Sequence, residues 1–291
     1  MKLGAHIGIA RGLAWTAAEA IRLKCECLQI FLSNPRGWAP AVPDDADVAA
    51  EWRSMLDGHR ICPLIGHSSY LVNLASPNPE LRRKSIASLE ADMRRGAALG
   101  VGILVVPGGF HTGAGPAQGR RAMAAGLREV SRMAGDAMLV LVENTAGAGS
   151  SMNWRFQEMA AMLSQAGDKP NLGICLDTCH LHAAGYDLSA ADGMRDVLER
   201  FDRLVGLSRL GAMHLNDAKY AAGSRRDAHT HIGRGTIGCE AFRALLADRR
   251  LADLPGIIET PKEGDADTRN LRLLRQLRGH DAARRAGGAS P

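Results

Sequence analysis

The chain has 291 residues, of which 46% are hydrophobic and 23% charged, with a formal net charge of +5 and an isoelectric point near 9.0. These proportions describe an ordinary globular protein and exclude a disordered tract or a membrane bundle, since no apolar run approaches the ~20 residues that a spanning helix needs. A basic balance is compatible with a polyanionic partner without requiring one.

Short apolar runs alternate with helix-spaced segments from end to end. The predicted strands are Leu3–Ile7, Cys27–Leu32, Ile61–Ile65, Ile103–Val106, Met138–Val142, Leu172–Leu176, Gly211–Leu215 and Gly256–Ile258. Between and after them, residues recurring at helical spacing predict helices over Trp15–Leu23, Val48–Gly58, Pro79–Leu99, Gln118–Met133, Trp154–Gln165, Ala190–Leu204, Glu240–Ala247 and Asp267–Leu277. Eight β units in strict alternation with eight α units imply a parallel sheet, and eight pairs close into a (β/α)8 TIM barrel, an α/β fold. Only 4% of residues are aromatic, so aliphatic packing has to fill that barrel. With no composition shift along the chain, residues 1–283 read as one domain and 284–291 as a disordered tail. The connection from Asn216 to Gly238 is long, and its glycines, arginines and histidines mark it as a functional loop. The six cysteines form no C-x-x-C pair and read as free thiols in a reducing compartment. With no signal peptide in view, the expected location is cytoplasmic.

In such a barrel the reacting groups come from the carboxyl ends of the strands. Strand three ends in Gly-His67-Ser-Ser-Tyr70, strand five in Glu143-Asn-Thr, strand six in Asp177 and His180, strand seven in His214-Leu-Asn-Asp217, and strand eight in Glu259-Thr-Pro. The long seventh loop adds Asp227 and His229. Three carboxylates and several imidazoles at one mouth would repel unless a cation sat among them. Oxygen and nitrogen donors suit zinc, manganese or a related divalent ion, and they outnumber the four of a single tetrahedral site. A multinuclear cluster of this kind favours phosphoester hydrolysis. Cys175 and Cys179 flank these donors and read as packing residues beside an oxygen-rich set.

On these motifs the chain resembles the endonuclease IV family of zinc-dependent abasic-site endonucleases, DNA-repair enzymes built on an α/β barrel. The segments that carry the resemblance are His67-Ser-Ser-Tyr-Leu-Val-Asn73, Glu143-Asn-Thr-Ala-Gly147, Gly173-Ile-Cys-Leu-Asp-Thr-Cys-His180 and His214-Leu-Asn-Asp217. The resemblance implies a cluster of two or three Zn2+ ions in which Glu143 bridges two metals and is the central catalytic residue. Asp177, His214 and Glu259 would complete one metal's ligands, and His180, Asp227 and His229 would hold another. His67 would hold the remaining metal with Glu143. It further implies a monomer that acts on double-stranded DNA containing abasic sites and cuts 5′ to the lesion, leaving a 3′-hydroxyl and a 5′-deoxyribose phosphate. Arg36 lies in a segment similar to the family's minor-groove loop, Tyr70 and Leu71 match the pair that wedges into the base stack, and Arg225 and Arg226 sit beside ligands as candidate DNA contacts.

One departure stands out. The family's fourth strand ends in a metal-binding His-Pro-Gly, and here Val106 precedes Pro107-Gly108, with His111 five residues on as a possible substitute ligand. Without that metal, Glu143, Asp177, His214 and Glu259 resemble the quartet of single-metal sugar isomerases and epimerases on the same barrel. That reading, and a non-catalytic binder of damaged DNA, therefore stay open.

Overall fold

In a computed structural model of the chain, which describes residues 1–40 and 45–286, the sequence pattern resolves into a closed barrel. In chain order the strands are β1 (Lys2–His6), β2 (Cys27–Phe31), β3 (Leu64–His67), β4 (Ile103–Val106), β5 (Leu139–Glu143), β6 (Leu172–Asp177), β7 (Leu210–His214), β8 (Asp217–Ala218), β9 (His229–Thr230) and β10 (Pro255–Ile258). Eight of them pair in parallel and close in the order β1-β10-β7-β6-β5-β4-β3-β2. The other two, β8 and β9, form an antiparallel hairpin inside the long seventh loop. The helices are α1 (Leu13–Arg22), α2 (Ala46–Gly58), α3 (Pro79–Ala98), α4 (Pro116–Ala134), α5 (Phe156–Gln165), α6 (Thr178–Ala184), α7 (Gly193–Leu204), α8 (Cys239–Ala247) and α9 (Ala266–Ala286).

Two differences from the predicted elements have local causes. Pairing in β3 starts after Cys62-Pro63 rather than at Ile61, because proline brings no N–H to a ladder. The short α6 follows directly from β6: the Asp177 carboxylate accepts the His180 N–H at 2.9 Å and caps the helix with the same side chain that faces the mouth. The tail expected from residue 284 falls on the last residues of α9 and on 287–291, which lie outside the described residues. No described helix is long and apolar enough to cross a membrane.

The pleat sorts the strand residues into two cores. Leu28, Ile30, Leu104, Val106, Val140, Val142, Ile174, Leu176 and Met213 face outward and pack against the helices. Their neighbours Cys27, Ile65, Ile103, Val105, Leu141, Cys175, Ala212 and Ile257 fill the barrel interior as a separate buried cluster. This is the period-two alternation of a strand buried on both faces. It also sets what comes next. Two residues beyond each interior side chain, toward the mouth, the inward positions are Gln29, His67, Pro107, Glu143, Asp177, His214 and Glu259. His6 at the end of β1 completes the ring. The aliphatic interior thus ends at a layer that is polar on seven strands and proline on the eighth.

Candidate metal centre

This ring is where the strand-end donors converge. The Glu143 carboxylate is central: Oε1 lies 2.9 Å from His214 Nδ1 and 3.6 Å from His180 Nδ1, and Oε2 lies 3.3 Å from His67 Nε2. His214 Nδ1 also faces Glu259 Oε2 at 3.2 Å and Asp177 Oδ2 at 3.9 Å. Glu143, Asp177, His214 and Glu259 each present a donor atom within 4.8 Å of one another. A second such group is His180, Asp227 and His229, with Asp227 at 3.2 Å from His180 Nε2 and 3.3 Å from His229 Nε2.

The surrounding network orients each imidazole. A backbone carbonyl can only accept, so His67 Nδ1 donates to Ser68 O (2.7 Å), His180 Nδ1 to Asn144 O (2.9 Å) and His229 Nδ1 to Glu259 O (3.3 Å). His214 Nε2 donates to Gln29 Oε1 (3.0 Å), whose own Nε2 donates to Glu259 Oε1 (2.7 Å). In every case the outward nitrogen carries the proton and the inward nitrogen turns its lone pair toward carboxylates, the outer-layer pattern of metal-binding histidines. Asn216 ties two carboxylate strands together, donating to Asp177 Oδ2 (2.7 Å) and accepting from Glu259 N (2.8 Å).

Lone pairs aimed at carboxylate oxygens repel unless a proton or a cation lies between them. The titration directions show how strongly the site calls for positive charge. Burial opposes the imidazolium of His180, yet Asp177, Asp227 and Glu143 outweigh it and raise its pKa well above the ordinary value. At His229 burial is likewise outweighed, by Asp177 and Asp227, and the pKa rises to about 9. For Glu143 burial favours the neutral acid, but His214, His67 and His180 hold it ionised. His229 Nε2 is buried without a hydrogen-bond partner although two carboxylates stand within 3.5 Å of it. Divalent cations satisfy all of these observations, so the donor set fits the metals that the sequence implies.

The fourth strand does not contribute. Val106 is fully buried in the helix-facing core, so its side chain points away from the mouth. This corrects the sequence reading by one residue: the inward position is Pro107, which has no donor either. His111 is turned to its own loop, where its Nδ1 accepts from Gly115 N (3.2 Å) at the start of α4, and the donor groups found among the described residues do not include it. The edge near His67 therefore holds His67 and the shared Glu143. Cys179 lies within reach of Asp177 and His229, but burial raises its pKa and its thiol donates to Ala228 O, so it is a packing residue. Cys175 belongs to the barrel interior, with its thiol pushed up to about 11 by burial.

The candidate DNA contacts ring the mouth. Tyr70 and Leu71 are 56% and 38% exposed, and the Tyr70 ring meets His67 edge-on at 5.7 Å, which ties that loop to the donor layer. Arg36 is exposed on the loop after β2, where Asn34 Oδ1 accepts its N–H. Arg225 stacks over Trp154 at 4.5 Å and donates to Gly147 O, while Arg226 stacks over Tyr220 at 3.6 Å. Both guanidinium groups are thus held at the surface. Sequence reading missed Gln29 and the place of His6 in the ring. The available signal was a glutamine inside the apolar run Cys-Leu-Gln-Ile-Phe.

Comparison with known proteins agrees with this geometry. Residues 17–278 match the family of xylose isomerase-like TIM barrels. The chain is 42% identical over 279 residues to "Probable endonuclease 4" of Chloroflexus aurantiacus, covering 95% of this chain and 98% of that one. It is 38% identical to "Probable endonuclease 4" of Halothermothrix orenii, over 95% of this chain and the whole of that one. The crystal structure of endonuclease IV from Thermus thermophilus superposes with a TM-score of 0.84 at 36% identity, covering 96% of this chain and 100% of the other. A D-tagatose 3-epimerase-like protein superposes at 0.73 with 16% identity, a likeness of fold alone.

Proposed function

This chain belongs to the endonuclease IV family, within the xylose isomerase-like TIM barrels, and from that premise we propose that it is a metal-dependent DNA-repair endonuclease that cuts 5′ to abasic sites. The observation that carries the reading is the second donor group. His180, Asp227 and His229 stand beside the Glu143, Asp177, His214 and Glu259 quartet, so the mouth offers more than a single-metal sugar epimerase needs. The epimerase reading has only the shared fold behind it. We assign zinc as the metal from the mixed imidazole and carboxylate donors, with two ions per chain as the expected complement because Pro107 and His111 supply no ligand. The protein acts as a monomer in this reading.

When bound, the ions would lower the pKa of a water and stabilise charge on the phosphate and the leaving oxygen. The chain's own side chains do the rest. Glu143 belongs to the quartet and also faces His180 of the second group, so it links the two. Ser68, Asn144, Glu259 and Gln29 accept the outward imidazole N–H groups and so turn the inward nitrogens toward the metals. Tyr70 and Leu71 wedge the base stack where a missing base has already weakened it, and Arg36, Arg225 and Arg226 take the backbone and groove. Incision of a duplex with one abasic site, giving a 3′-hydroxyl and a 5′-deoxyribose phosphate while the intact duplex survives, is the expected result. Glu143→Gln is expected to lower that rate by at least about a hundredfold, the scale of a single electrostatic contributor, with duplex affinity retained. Ketose epimerisation without nicking would overturn the reading, and wild-type cutting by Glu143→Gln would overturn the role of that residue.

A further inference from the structure

Among the described residues three large apolar side chains stand out in water: Tyr70, Leu71 and Phe110, the last 43% exposed. The first two belong to the wedge already proposed. Phe110 has no part in that account, and an aromatic ring left in water invites an explanation. Its backbone is held on both sides. Asn73, two residues beyond Leu71, accepts the Phe110 N–H on Oδ1 (3.0 Å) and donates from Nδ2 to Phe110 O (2.9 Å). On the other flank Phe110 forms an antiparallel bridge with Ser151, His111 N donates to Ser150 O (3.0 Å), and Met152 N donates to Gly109 O (2.9 Å). Beneath it, a side chain on Gly108 would meet Glu143 O at 2.6 Å, so the loop lies directly on the strand that carries the central carboxylate.

The same lacing continues to the next loop. Tyr70 N and Ser69 Oγ both donate to Pro35 O, at 3.0 and 3.2 Å. The loops after β2, β3, β4 and β5 are thus tied side by side around the mouth, in the order in which the strands pair. Arg36, the Tyr70–Leu71 pair and Phe110 stand in a row on three successive loops. The ring of Phe110 is exposed because hydrogen bonds on both flanks fix where its backbone sits, and not because the loop is loosely attached.

We propose that Phe110 is a third apolar contact of the wedge, covering the uncovered face of a base that borders the gap at the lesion, and that it determines preference for abasic over intact DNA. The occupant is a base with a free π face, which only a duplex with a missing base presents next to this row. The inference rests on the proposed abasic-site activity.

The test is steady-state incision of an abasic duplex by the zinc-loaded protein, with intact duplex as a competing inhibitor. Phe110→Ala is expected to raise KM by roughly 5- to 150-fold, the range that removing a base–aromatic stack gives. With the contact made equally before and during reaction, kcat should change little. The inhibition constant of intact duplex and the thermal midpoint should stay at wild-type values, Phe110→Tyr should restore KM, and Phe110→Ser should behave as the alanine variant does. 2-Aminopurine placed beside the lesion should be quenched by the wild-type protein and not by Phe110→Ala. An unchanged KM overturns the proposal. So does a parallel loss of affinity for intact and abasic duplex, or a change in sedimentation without a change in KM, which would assign the ring to contact between copies of this chain. A wild-type protein that neither cuts nor prefers abasic duplex would instead bring down the parent reading.

Discussion

Asp217 offers a test of how the long seventh loop delivers its ligands. Its carboxylate is fully buried and accepts five backbone N–H groups. Oδ1 takes Ala218 N (2.8 Å) and Ile237 N (3.0 Å), and Oδ2 takes Gly233 N (2.9 Å), Gly235 N (3.1 Å) and Gly238 N (3.4 Å). Both ends of the excursion that carries Arg225, Arg226, Asp227 and His229 are therefore gathered on one side chain. Asp217→Asn keeps the shape but can accept on one atom only. Whichever way the amide turns, its NH2 faces at least two N–H donors. Two hydrogen bonds to a charged group at about 1.5–3 kcal/mol each give a loss of about 3–6 kcal/mol before the loop relaxes. Relaxation lets some of the freed N–H groups reach water, so the expected loss in urea unfolding is about 3 kcal/mol, a large part of the ~5–15 kcal/mol that a folded protein has. The sharper readout is local. Amide exchange across 229–238 should quicken, and the metal at His180, Asp227 and His229 should be lost before the one at Glu143. A variant within about 1 kcal/mol of wild type that keeps its full metal content would show that Asp217 does not organise the loop.

Further outcomes follow from particular side chains. Pro107→His places an imidazole at the inward position of the fourth strand and is expected to add about one metal ion per chain by elemental analysis, because it joins His67 and Glu143 as a third protein ligand with water as the fourth, whereas His111→Ala should lose none. Val106→His should gain no metal and cost about 1–3 kcal/mol, because it buries an unpaired polar ring against the helices; a metal gained there and not at residue 107 would reverse the assignment of faces. Replacing Arg225 and Arg226 together with Ala should weaken DNA binding and flatten the slope of log K against log salt by about 1.8, or ~0.9 per phosphate contact. An unchanged slope would return both to ordinary surface residues.

Much of this protein was legible from the chain alone because the signals are local. Eight short apolar runs alternating with helix-spaced segments imply a closed barrel without reference to any contact. A donor at or just past the end of an apolar run then lies at the mouth, since every parallel strand points the same way; His67, Glu143, Asp177, His214 and Glu259 were picked out by that rule. What the chain could not reveal is which face a residue occupies at a strand's last position, because this depends on pairing register with neighbours far away in sequence. Val106 and Pro107 are adjacent at the end of one apolar run, and only the pairing of β4 with β5 turns the first toward the helices and leaves the second facing the mouth. Register likewise brought His6 and Gln29 into the donor layer from strands whose ends looked unremarkable. The tautomers of His180 and His229 depend on the carbonyls of Asn144 and Glu259 at the ends of other strands, and that of His214 on the Gln29 side chain. The exposure of Phe110 depends on Asn73 and Ser151, which hold its loop from either side although they lie 37 and 41 positions away in the chain.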